Sequence, residues 1–127
     1  MNLQELQTMV HHQLPIKLII FNNDGYLMIK HTQKAVANGR FAGTDKKSGI
    51  SCPDFSKLAQ SFGIDAVAVS QRSEVAAAVQ GARKSRRATV IDFQVEQEDS
   101  VFPMVPAGAD LHKMILRPSP IVETAAD

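Results

Sequence analysis

The chain has no tryptophan, one tyrosine and one cysteine in 127 residues. So little Trp and Tyr leaves scant surface for base stacking, which argues against a single-stranded nucleic-acid ligand. A lone thiol, Cys52, rules out an internal disulfide framework and suits a reducing, cytoplasmic compartment. Long hydrophobic runs are missing too. The most apolar stretch, Leu18 to Phe21, is far too short to cross a bilayer. Nothing at the start reads as an n-region followed by an h-region, so no secretory signal is expected. Charge of one sign is also scarce: the formal net charge is +1, and no global field draws nucleic acid or an anionic membrane. Internal repeats and low-complexity segments are absent. What remains is 44% hydrophobic and 21% charged, the make-up of a single domain over 1–127 with a genuine core.

Periodicity orders that core. Asn2, with Glu5 three residues on, predicts a helix start with capping-box logic, and Leu3, Leu6, Met9 and Val10 share one face. Pro15 closes the segment. Ile16 to Phe21 is almost continuously apolar, which predicts a strand buried on both faces of a parallel sheet. Asn38 to Gly49 is looser, with three glycines and the adjacent pair Lys46-Lys47. Pro53 suits a first helical position, Phe55, Leu58, Ala59 and Phe62 form a stripe, and Gly63 is a natural stop. Asp65 to Val69 reads as a strand. Ser73 and Glu74 open a helix with Val75, Ala78, Val79 and Ala82 inward, and Thr89 to Val95 makes another strand. Strand, helix, strand in that order is a βαβ unit, so the fold class is α/β with a mainly parallel sheet flanked by helices. The proline-bearing tail allows a short helix over Asp110 to Ile115, and 116–127 is expected to be a flexible end.

Asn22-Asn23-Asp24-Gly25 follows the first strand and has two readings. Asp-Gly is a strong hairpin dipeptide, and Tyr26 to Ile29 would then be the return strand. Alternatively, a parallel strand ends at the Asn pair and feeds a loop and helix. The loop then lies beyond a strand's carboxyl end, where open α/β sheets bind ligands. Asn oxygens and main-chain carbonyls are hard ligands suited to Mg²⁺, and amides at a helix start favour a phosphate. Pattern alone leaves both readings open.

Several separated motifs, in order, carry a resemblance. Leu3-Gln4-Glu5-Leu6, Leu14-Pro15-Ile16-Lys17 and Asn22-Asn23-Asp24-Gly25-Tyr26 are followed by Pro53-Asp54-Phe55 with Lys57-Leu58-Ala59. Pro103-Met104-Val105-Pro106-Ala107-Gly108-Ala109 ends the series. Together they resemble the C-terminal part of the diphosphate-binding domain of thiamine-diphosphate-dependent enzymes of the acetolactate synthase type, up to about Ile115, which implies an incomplete thiamine-diphosphate-binding fold. The resemblance implies the strand–loop–helix reading, thiamine diphosphate and Mg²⁺ as cofactors, and 2-keto acids as substrates for decarboxylation and carboligation. It makes the Asn23 side chain and the Gly25 carbonyl metal ligands, and Tyr26, Leu27 and Met28 neighbours of the diphosphate. It also implies a homo-oligomer, dimer or tetramer, with part of the Leu3/Leu6/Met9/Val10 face near a subunit contact. Two departures stand out. Leu27 occupies a position that is usually Gly, and the fingerprint's opening Gly-Asp-Gly has no counterpart after Met1. The pyrimidine-binding domain with its activating Glu, and the domain that usually holds FAD, have no counterpart either. No catalytic residue is therefore expected in this chain, and inactivity without missing N-terminal domains or a companion chain is. The alternative is a non-catalytic oligomerisation or regulatory module that keeps the fold. A small flavodoxin-like binder would match the α/β pattern and none of the ordered motifs.

Other polar residues have plainer readings. His11-His12 are adjacent on a helix and point apart, so they suit a solvated helix end better than a metal. His31 and His112 stand alone. Arg83, Lys84, Arg86 and Arg87 complement the negative end of the preceding helix.

Overall fold

The computed structural model describes residues 2–97, 102–105 and 108–116. In chain order the elements are α1 (Glu5–His11), β1 (Lys17–Asn22), α2 (Leu27–Val36), α3 (Phe55–Ser61), β2 (Asp65–Val69), α4 (Val75–Lys84) and β3 (Thr89–Gln94). The strands form a parallel sheet in the order β1-β3-β2. The expected α/β class is therefore present, with β2-α4-β3 as its βαβ unit.

Alternation along β3 divides the core. Val90 points to one face and Ile91 to the other, and each is 1% exposed. Val90 meets Leu6 and Met9 of α1, Ala59 of α3 and Ile64. Ile91 meets Val69 and Ala82, with Ala78, Val79 and Phe93 packed alongside. Burying such a side chain stabilises by about 1.5–3 kcal/mol, so these two layers hold the sheet. Helix α2 belongs to neither cluster; it sits with the segment 41–48 beside the carboxyl ends of the strands.

Local chemistry sets the helix ends. Asp54 caps α3 by accepting from the Lys57 amide at 2.9 Å, which places Pro53 just outside the helix rather than at its first position. Gly63, at φ 76°, stops α3 as expected. Its amide reaches Gln60 O and the Ile64 amide reaches Ala59 O, the paired bonds of a left-handed stop. α1 ends the same way without a glycine: Gln13 takes φ 51°, and the Leu14 amide bonds Met9 O at 2.9 Å. The side-chain capping box expected at Asn2 does not form. The Glu5 amide bonds the Asn2 main-chain carbonyl at 3.1 Å, and Gln4 stands at the cap. The helix read from Ser73 begins instead with a 3-10 turn, Arg72–Glu74, capped by Gln71, and Val75 stays 37% exposed rather than facing inward.

One expectation needs correcting. β1 is not buried on both faces. Leu18, Ile19 and Phe21 are 39%, 47% and 74% exposed, because β1 lies at the edge of the described sheet; on the face shared by Ile19 and Phe21, the α4 cluster gathers residues of β2 and β3. Its amino end is anchored by Lys17, whose ammonium donates to Ser85 O at 3.0 Å and to Arg87 O. Arg87, read as complementing a helix end, instead donates to Gly63 O at 3.1 Å and pairs with Asp65 at 3.6 Å. In the tail, a 3-10 turn at Leu111–Lys113 replaces the expected helix, and Met104 and Ile115 form an antiparallel bridge. Apart from Leu116, the segment 116–127 lies outside the described residues.

Candidate functional site

β1 ends in a sharp elbow. Asn22 pairs with Gln94 in the parallel ladder, and its carbonyl still accepts from the Val95 amide at 2.9 Å. Its side-chain oxygen then accepts from the Asp24 amide at 2.9 Å, and Asn23 does the same for the Gly25 amide at 3.3 Å. These two successive Asx turns swing the chain out of the sheet. Asp24 completes the bend in the left-handed region at φ 50°, which Asp tolerates better than most residues. From Tyr26 the chain enters α2, so Tyr26 to Ile29 make no return strand and the hairpin reading fails.

Gly25 is needed for space. A Cβ there would lie 2.5 Å from Thr44 O, where the 41–48 segment crosses the elbow. That carbonyl accepts the Tyr26 amide at 2.7 Å. Thr44 itself is 1% exposed, and its hydroxyl lies 3.0 Å from the Ser48 hydroxyl. Gln33 clamps the same segment to α2: its side chain accepts from the Ala42 amide at 2.9 Å and donates to Ala42 O at 3.0 Å. Lys30 pairs with Asp45 at 3.1 Å. The Ser48 hydroxyl, then the Lys30 ammonium, hold the Asp45 carboxyl below its ordinary value of 3.8.

A polar hollow of about 360 Å³ opens beside the elbow, lined in part by Asn22, Asn23, Asp24, Cys52 and Gln94. Burial, reinforced by Asp24 and Asp92, pushes the Cys52 thiol above 9.0. Asp92, 2% exposed on the central strand, accepts from Asn22 at 3.4 Å and Gln94 at 3.3 Å through one oxygen, while its other oxygen has no partner. Sequence reasoning missed this carboxylate. An acidic residue breaking the apolar run of β3 was the signal that could have found it.

These residues fit one end of a diphosphate site. Asn23 and Gly25 bring neutral oxygens to the elbow, and Leu27 and Met28 put their amides in the first turn of α2, where no intrahelical partner exists for them. The Tyr26 amide is different, being already given to Thr44. Tyr26 and Met28 are more than half exposed, while Leu27 lines the wide cleft between α2 and the 41–48 segment. The acidic share of a Mg²⁺ site is not matched: among the described residues no three His, Cys, Asp or Glu cluster as metal ligands. His11 and His12 pack edge to face at 4.8 Å and belong to no such cluster. No helix among the described residues is long and apolar enough to cross a membrane.

Residues 1–93 match the family described as "Thiamine pyrophosphate enzyme, C-terminal TPP binding domain". That is most of the chain. The chain belongs to this family. As such a thiamine pyrophosphate-binding domain it is 35% identical over 119 residues to the acetolactate synthase large subunit of Parasynechococcus marenigrum, covering 94% of this chain and 19% of that protein. The acetolactate synthase large subunit of Pyropia yezoensis is 36% identical over 115 residues, 91% of this chain and 19% of that protein. The domain thus spans about a fifth of the length of these relatives. Among solved structures, the Rhodococcus jostii RHA1 thiamine diphosphate-dependent 4-hydroxybenzoylformate decarboxylase superposes with a TM-score of 0.67 at 23% identity, over 77% of this chain and 18% of that one. That likeness supports the fold.

Proposed function

We propose that this domain is the diphosphate-binding part of a thiamine-diphosphate- and Mg²⁺-dependent enzyme acting on 2-keto acids, acetolactate synthase-like, and that the chain alone is inactive. The observation that carries this reading is the elbow: two asparagines end a parallel strand and turn the chain directly into a helix start. In it, the Asn23 side-chain oxygen and the Gly25 carbonyl hold the metal, and the Leu27 and Met28 amides face the diphosphate. Tyr26 fixes the loop, since its amide is bound to Thr44. Asp92 steadies the elbow from below through Asn22. When bound, the cofactor supplies the carbanion chemistry of keto-acid decarboxylation and carboligation. Acidic metal ligands and the group that activates the cofactor come from polypeptide beyond these residues, in the same or a companion chain. A cytoplasmic homo-oligomer, dimer or tetramer, completes the reading.

Calorimetric titration tests it. The chain alone should show no micromolar binding of Mg²⁺–thiamine diphosphate. Supplied with the N-terminal part of such an enzyme it should bind, and Asn23→Ala should weaken that binding roughly ten- to a hundredfold, the range for losing a group that holds or orients a metal. Micromolar binding by the chain alone overturns the claim of inactivity, and binding indifferent to Asn23→Ala overturns the site.

A second reading, a non-catalytic oligomerisation or regulatory module, is favoured by one observation: Ile19 and Phe21 leave an apolar strip exposed on β1. Sedimentation showing a stable dimer that neither binds nor responds to cofactor even when the N-terminal part is supplied would support it over the first.

A further inference from the structure

A second site lies beside the elbow. The cleft between α2 and the 41–48 segment holds about 910 Å³, within the ~300–1,000 Å³ range of small-molecule sites. Lys30 and Lys34 come from consecutive turns of α2, and Lys46 and Lys47 from the 3-10 turn Lys46–Ser48. Lys30 and Asp45 offset each other at 3.1 Å. Lys34, Lys46 and Lys47 make no ion pair among the described residues, and Asp24 is the other carboxylate in the wall. His31 also lines the cleft, and Phe41 supplies an apolar surface.

The concentration of charge is unusual for a chain whose formal net charge is only +1. Ammonium groups gathered on facing walls repel one another, and a bound anion relieves that repulsion. Both walls are fixed in advance. Gln33 clamps Ala42 with two hydrogen bonds, and the Asp45–Ser48 capping box shapes the turn that carries Lys46 and Lys47. A preorganised basic cleft loses little entropy on binding. Its position narrows the ligand: the cleft shares Asp24 and Leu27 with the elbow, so a small acid held there lies against the cofactor loop.

We propose that this cleft receives the second anionic group, carboxylate or phosphate, of a dianionic 2-keto acid. The inference rests on the keto-acid reading above and deepens it. A simple monoanionic keto acid would leave the lysines unused.

Amide NMR on the full chain, titrated with 2-oxoglutarate, 3-phosphohydroxypyruvate and pyruvate, tests the proposal. A dianion should shift the amides of 30–34 and 41–48 and bind about tenfold more tightly than pyruvate, the effect of one or two additional ammonium contacts. Whichever of the first two probes binds more tightly identifies the second group as carboxylate or phosphate. Lys34→Gln, Lys46→Gln and Lys47→Gln should each weaken the dianion about three- to fivefold, while Lys34→Arg retains binding. These lysines are exposed, so the variants should keep the parent's amide dispersion. Equal affinity for pyruvate and the dianions, shifts that avoid the cleft, or binding indifferent to all three Gln variants overturns the proposal. The readout needs no cofactor and should survive Asn23→Ala. A silent cleft therefore sinks this inference alone, whereas a responsive cleft on an elbow that fails to engage Mg²⁺–thiamine diphosphate even with the N-terminal part supplied sinks the cofactor reading.

Discussion

β1 and β3 run side by side in register, Leu18 against Val90, Ile19 against Ile91 and Phe21 against Phe93, yet their surroundings are opposite. Val90 and Ile91 are almost wholly buried, whereas Leu18 and Ile19 are more than a third exposed. β3 even carries a buried Asp where β1 has Ile20. The more apolar strand is thus the less covered one. A strand's apolarity records the cover it is built for, while its burial records the cover it has. β1 carries an excess of the first over the second, and Phe21, stacked on Phe93 at 5.9 Å but still 74% exposed, shows it most clearly.

The largest test of this contrast is on stability. Ile91→Ala should cost about 2–5 kcal/mol in urea unfolding, and Ile91→Val about 0.5–1.5 should the larger truncation prevent folding. Ile19→Ala, its registered neighbour, should stay within about 0.5 kcal/mol for the chain alone. Equal costs at the two positions would remove the distinction. A smaller effect belongs to the elbow at the end of β1. Gly25→Ala forces a Cβ to 2.5 Å from Thr44 O, and should cost about 1–3 kcal/mol while speeding exchange of the Tyr26 amide. Unchanged exchange would mean that the 41–48 segment yields freely. The smallest effect compares the two strand ends through Cys52. Burial raises its thiol first, Asp24 from the β1 elbow next and Asp92 on β3 last. Cys52 should alkylate more slowly at pH 8 than a free thiol, with Asp24→Asn speeding the reaction more than Asp92→Asn. The reverse order would place the thiol nearer β3 in its effective field.

Much of this architecture is written locally. The stripes of α3 and α4, the Gly63 stop and the strands at Asp65 and Thr89 all follow from period and punctuation. The elbow does not, because Asp24-Gly25 serves a hairpin equally well until Thr44, far along the chain, occupies the space beside Gly25. The ordered family motifs settled what the dipeptide could not. The exposure of β1 was illegible for a related reason: an apolar run cannot say what lies over it. The basic cleft was missed because its lysines come from two separate segments, with only the adjacent pair Lys46-Lys47 visible as a hint.

Asp24, at φ 50°, has a consequence of its own. A left-handed backbone at that point is comfortable for Gly, Asn and Asp and costly for any β-branched side chain. The steric filter acts before any ligand is considered. Drift at position 24 is therefore biased, and a library randomised there should return Gly, Asn and Asp in excess and few Val, Ile or Thr even under selection for folding alone.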